Sequence, residues 1–338
     1  MAGGNAERAE WLAQITEETI DPDRLIIDTH FHFFNNFGHT YLAEDLLAEL
    51  APGHNVRAMV YVEANADFFP DGGAPSEIRF VIEQSKRALD LQNPAAEPCQ
   101  VAAAIVGFAD LSQGDMVEDA LVTLADAAEG RLRGIRHATG WLADPKLRNS
   151  HTNPPENLTA DPAFRRGLKR LADLGYSYDS YQFHPQIQGL ADLARAVPEA
   201  SIICDHLAGM VGIGPFAGKH DEIFDQWRRD ITDLAACENV VMKLGGMAMP
   251  VNGYGWHKRS RPMTSAEYAE TYAPWFEYAI ETFGPDRCMF ESNFPVDKTS
   301  ISYPVLWNGF KRIASRYSEA EQDALFHDTA KRIYRIPA

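Results

Sequence analysis

The chain has 338 residues, 45% of them hydrophobic and 23% charged, and a formal net charge of −17 at neutral pH. That acidity argues against a nucleic-acid partner, since phosphate contacts need a basic surface, but it leaves room for an anionic small substrate in a locally positive pocket. The four cysteines, Cys99, Cys204, Cys237 and Cys288, form no CxxC pair; they offer no thiolate metal site and suit a reducing cytoplasm, and no stretch reads as a signal peptide or a membrane span.

Residues 1–24 read as an N-terminal extension, with Trp11 placed to strap the main body or to make an oligomer contact. From residue 25 to 338 a single domain is expected. Short apolar runs suggest strands at 25–30, 56–63, 101–108, 132–138, 176–183, 201–206, 240–244 and 287–292. Helical periodicity fills the gaps at 41–50, 75–91, 114–128, 161–174, 185–197, 221–236 and 265–283, and a last pair at 303–316 and 318–334 closes the chain. Asp161-Pro162 and Ser318-Glu319 have the form of helix starts. Eight strand–helix units imply parallel strands with right-handed crossovers, hence an α/β chain folded as a (β/α)8 TIM barrel; a doubly wound open sheet is the alternative. No GxGxxG follows a strand and no GxxxxGK[ST] occurs, so the usual nucleotide fingerprints are missing. Long loops at 142–158, 208–219 and 246–264 follow strands, on the face that carries chemistry in a barrel.

Polar residues collect at those strand ends. His30 and His32 close the first strand two residues apart, so alternation points both imidazoles the same way, as two ligands of one metal require. Arg136 and His137 end the fourth strand, His184 the fifth and His206 the sixth; Lys243 lies in the seventh, and Glu291, Ser292 and Asn293 finish the eighth, ahead of Asp297. A barrel brings all of these to one rim. Arg136 is a candidate clamp for a carboxylate, through the two parallel hydrogen bonds a guanidinium makes. Tyr181 and His257 are further candidates for substrate contact, the latter in the glycine-, aromatic- and cation-rich loop around 252–259.

The motifs DTHFHFFN, GIRHATGW, YQFHPQ, CDHLAG and MFESNFPVDK, with the tail HDTAKRIYRI, resemble the amidohydrolase superfamily in its branch of TIM-barrel hydrolases and decarboxylases acting on lactones and carboxylated rings. The resemblance runs from about residue 25 to the C-terminus. It implies that His30, His32 and His184 bind one divalent metal, usually zinc, with His206 beside it. It also implies an aspartate at the end of the eighth strand, in a segment like GSDWP, to move the proton of the attacking water. This chain has Asn293 there. An amide is no useful proton acceptor near neutral pH, so Glu291 or Asp297 must stand in, with Glu291 preferred because strand alternation would point it the same way as Asn293. The fourth strand lacks the lysine that bridges two metals in other branches, which favours one metal or a metal-free site. The expected function is hydrolysis of a lactone or related cyclic ester or amide of a carboxylated small molecule. The alternatives are decarboxylation of an aromatic or unsaturated acid and a non-catalytic barrel. Neither a nucleic-acid nor a membrane partner is expected; a homo-oligomer is open.

Overall fold

The computed structural model of the chain describes residues 2–36, 39–65, 73–93 and 97–337. Eight parallel strands pair in chain order: β1 (Ile26–Phe31), β2 (Val56–Val62), β3 (Gln100–Gly107), β4 (Leu132–Arg136), β5 (Ser177–Ser180), β6 (Ile202–Cys204), β7 (Val240–Leu244) and β8 (Cys288–Phe290). The segment after β8 returns to β1. The Asn293 N–H donates to the His30 carbonyl at 2.9 Å, the His32 N–H to the Phe294 carbonyl at 2.8 Å, and Phe31 bridges Phe294 in parallel. The sheet therefore closes into the (β/α)8 barrel rather than an open sheet.

The strands are buried on both faces, which is why they read as nearly unbroken apolar runs. Ile27, Val60, Val106, Ile203, Val241 and Met289 meet in one cluster inside the barrel, while the outward side chains form the larger core with the helices. Helix starts are fixed by side-chain caps. Asp161 accepts from the Ala163 N–H at 2.7 Å with Pro162 in the first helical position, and Thr264 and Glu267 form a capping box at the helix Ser265–Phe283.

Several strands stop earlier than their apolar runs suggest: β5 ends at Ser180, β6 at Cys204 and β8 at Phe290. Beyond these points the strands continue only through scattered backbone bonds, such as Asp205 N–H to the Ser180 carbonyl and Glu291 N–H to the Leu244 carbonyl, and His206, Leu207, Ala208 and Asn293 all have positive φ. The rim residues thus sit on turns. The expected final helix is three segments, Glu319–Asp323, a π-helical Ala324–Asp328 and Thr329–Ile333. The helix expected from residue 41 begins at Ala43, because Phe34–Asn36 and His39–Tyr41 form a small antiparallel ribbon. The helix Ala2–Leu12 was not legible. It is tied to the rim by Trp11, whose Nε1–H donates to the Arg259 carbonyl at 3.0 Å. No helix among the described residues is long and apolar enough to cross a membrane.

Candidate active site at the barrel rim

His30 and His32 converge as their spacing predicts, with their Nε2 atoms 3.2 Å apart. The route is less regular than simple alternation. Ile27 already faces the barrel interior, so His30, three residues on, would point outward. The β1–β2 register shifts between Asp28 and Phe31, and that irregularity re-aims the histidine. The other ring nitrogens are engaged. Nδ1 of His32 lies 2.7 Å from the Val62 carbonyl, and Nδ1 of His30 lies 2.9 Å from Glu291 Oε2. A carbonyl only accepts, so His32 carries its proton on Nδ1, and the Glu291 carboxylate favours the same tautomer in His30. Burial holds both rings neutral: it pushes His32 down to about 3, and with Lys243 it takes His30 well below the usual histidine range. Two lone pairs thus face each other. That spacing suits two donors about 2.05 Å from one zinc at a near-tetrahedral angle, which lie roughly 3.3 Å apart.

Glu291 is the hub beneath this pair. Its Oε1 accepts from the His206 backbone N–H at 2.9 Å and lies 2.6 Å from His206 Nδ1. Burial alone would raise its pKa; His206 and His30 outweigh that and bring it to about 2. His30, His206 and Glu291 also have ligand-capable atoms within 4.8 Å of one another. The 2.6 Å contact, however, is a hydrogen bond, closer than two donors around one zinc would lie. Asn293 is turned away by its φ of 54° and donates from Nδ2 to Asp297 Oδ1 at 3.0 Å, while Asp297 Oδ2 accepts from the Ala248 N–H at 3.2 Å. Burial pushes Asp297 up to about 7. Glu291 and Asn293 do not share a strand face, because both lie past the last residue of β8.

Arg136 is not a free substrate clamp. It is buried, donates from Nε to Glu63 Oε1 at 2.7 Å and from Nη2 to the Glu63 carbonyl, and holds Nη1 3.2 Å from His30 Nε2. Glu63 also meets His151 Nε2 at 3.0 Å. Lys243 pairs with Asp179 at 2.7 Å and Asp205 at 3.1 Å. Four buried carboxylates, Glu63, Asp179, Asp205 and Glu291, therefore face two buried cations. Asp205 is held by ion pairs alone, Oδ1 to Lys243 and Oδ2 3.6 Å from Arg136 Nη1, with no aligned hydrogen bond to either oxygen among the described residues. This anionic surplus, next to two converging imidazole lone pairs, fits a bound divalent cation. His137, which follows Arg136 at the end of the fourth strand, lies outside the cluster. Its Nδ1 accepts from the Leu111 N–H and its ring packs between Phe108 and Phe164.

His184 does not join His30 and His32 as the resemblance implied. It begins the turn His184–Gln186, accepts at Nδ1 from the Val211 N–H and packs its ring on Phe216. Among the described residues it is not part of the ligand-capable cluster that holds His30. Tyr181, just past β5, has its ring 5.4 Å from that of His206, and the Arg136 guanidinium lies 5.8 Å from its centroid. Tyr181 also lines a cavity of about 450 Å³ bounded by the loops after β4, β6 and β7, with His257 on another wall. Sequence reasoning missed Glu63, Asp179 and Asp205. The first carried the signal used elsewhere, a charged residue ending an apolar strand.

A closed parallel barrel with histidines and carboxylates packed at the C-terminal rim is the architecture of a barrel hydrolase. The chain belongs to the amidohydrolase family, whose model matches residues 27–336. It is 32% identical over 339 residues to the uncharacterised protein y4mH of Sinorhizobium fredii, covering 93% of this chain and 99% of that one. It is 27% identical to the L-fucono-1,5-lactonase of Burkholderia multivorans, covering 93% and 97%. Among solved structures, an amidohydrolase from Burkholderia multivorans crystallised with bound zinc matches with a TM-score of 0.71 and 25% identity, over 93% of this chain and all of that one.

Proposed function

We propose that this hydrolase opens the lactone ring of a small molecule carrying a carboxylate, and that it works with one divalent metal, zinc first among the candidates. The observation that carries this reading is the facing Nε2 pair of His30 and His32, with the His206 ring 4.5 Å from that of His30, the buried carboxylate of Asp297 facing His206, and Tyr181 between His206 and a solvent-open cavity. The lactonase name of a relative matched over nearly its whole length, and the zinc of a structural neighbour, support it. The four cysteines are all buried and free, which suits a reducing compartment such as the cytoplasm.

His30 and His32 would hold the metal through Nε2. Bound there, it supplies Lewis acidity toward the ester carbonyl and toward water. Asp297, with its pKa near neutrality, takes the proton of the attacking water and returns it to the ring oxygen as the acyl C–O bond breaks. Asn293 and the Ala248 N–H hold Asp297 in place for this. Glu291 is too acidic to be the base. It orients His206, whose proton it draws to Nδ1, leaving Nε2 as the nitrogen free to bond the substrate. The product is a hydroxy acid, which ionises and releases a proton. An indicator assay over a panel of lactones tests the proposal. Acidification on ring opening supports it; proton uptake with carbon dioxide release from an unsaturated acid, and no lactone opened, would replace it with the decarboxylase.

A further inference from the structure

Arg136 is locked to Glu63, so recognition of a charged substrate group has to come from elsewhere. The cavity above Tyr181 supplies it. Its walls include Leu147, Phe183, Ile213 and Val251, and its polar rim is Arg148, His257 and Lys258. Among the described residues no aspartate or glutamate lines it, in a chain with 48 acidic against 31 basic residues. Arg148 and Lys258 are exposed, and neither has an ion-pair partner among the described residues. His257 shows the same local field: burial, Lys258 and Arg8 together hold its imidazole below the usual range. The wall bearing His257 and Lys258 is fixed from behind. Arg8 Nη1 donates to the His257 carbonyl at 3.5 Å and Trp11 Nε1 to that of Arg259 at 3.0 Å.

We infer that this cavity is a subsite for a carboxylate that the substrate carries on an apolar arm, away from the bond being broken, and that Arg148 and Lys258 are the pair that hold it. The inference rests on the lactonase reading and adds where on the substrate the carboxylate lies and which residues hold it. Tyr181 sets the geometry, since its ring belongs both to the cavity wall and to the contact with His206. The arm lies on the apolar wall while the lactone ring reaches the rim histidines. An arginine and a lysine approaching from different loops suit a carboxylate at the end of a non-polar body, because the guanidinium bonds it in two places and the ammonium adds a point charge.

Benzoate and its neutral counterpart benzyl alcohol are the probes. Each is titrated by NMR into wild type, the double variant Arg148→Met/Lys258→Met, and Lys146→Met, which removes a cation from the same loop outside the cavity. Benzoate is expected to bind wild type and Lys146→Met alike, to lose at least tenfold in affinity in the double variant, and to weaken with added salt. A second readout is the ratio of kcat/KM for a carboxylated lactone over its methyl ester, which should fall at least tenfold in the double variant. Equal binding of benzoate and benzyl alcohol by wild type, or benzoate binding untouched in a double variant that melts like wild type, overturns the inference. Benzoate binding lost as expected, with no lactone opened by any form, supports the subsite and refutes the lactonase reading alone.

Discussion

Replacing Asp297 by asparagine separates catalysis from stability. Asp297 is fully buried, and burial lifts its pKa from an ordinary 3.8 to about 7. The titratable side chains that face it are His206, Glu291, Tyr181, Tyr268 and Tyr272. A folded-state pKa above the unfolded one means that the group favours folding below the unfolded value and loses that contribution as pH rises through the folded value. Three pKa units correspond to about 4 kcal/mol, so at pH 8 the ionised carboxylate costs the fold roughly that much, and at pH 4 less than about 1 kcal/mol. Asparagine has the same shape and no charge, and a flip of the Asn293 amide lets Asn293 accept where it now donates. The variant should therefore be more stable than wild type at pH 8, by up to about 4 kcal/mol or ~6 °C for a chain of this length, and equal to it near pH 4. Its turnover should fall by about two or more orders of magnitude, the usual scale for a general base. Wild-type kcat should rise with pH through about 7, and the residual rate of the variant should lack that limb. Thermal melts at both pH values and a pH–rate profile read all three effects. A variant that keeps wild-type turnover, or shows no pH-dependent gain in stability, would refute the reasoning.

Glu291→Gln should lower kcat tenfold or more by releasing His206 and His30, yet leave the midpoint of the pH–rate profile in place; a midpoint that moves would make Glu291 the base after all. Zinc content by elemental analysis should drop to a small fraction of wild type in His32→Ala, since one of two converging imidazoles is lost. Wild type that is fully active without metal and indifferent to chelators would point to the metal-free alternative. In Gly246→Ala the new Cβ would meet the His206 ring at 2.6 Å, at a backbone φ of 66°. Turnover should fall at least tenfold, and an unchanged rate would remove His206 from the mechanism. Arg136→Met strands the Glu63 carboxylate in the interior and should cost about 3–5 kcal/mol in denaturant unfolding. A variant as stable as wild type but with a raised KM would restore Arg136 as the substrate clamp.

The barrel was legible because apolar runs and amphipathic segments alternate eight times, and that pattern depends on burial alone. The pairing of His30 with His32 was legible for a similar local reason, although the register shift that turns both inward was not. Longer-range features escaped. Arg136 and Glu63 are 73 residues apart, and only barrel closure shows that they neutralise each other. The preference for Glu291 as base rested on strand geometry that ends at Phe290, one residue too soon. His184 was carried over by motif to a strand that stops at Ser180. Arg148 and Lys258 lie on loops without periodicity, so nothing local marks them as neighbours of one cavity.

The most direct test of the central claim is mass spectrometry of turnover in ¹⁸O-enriched water, using a carboxylated lactone that wild type opens and Asp297→Asn does not. Hydrolysis by attack on the acyl carbon predicts one heavy oxygen in the new carboxylate and none in the new hydroxyl. Label in the hydroxyl, or a product that has lost carbon dioxide and carries no label, would contradict it.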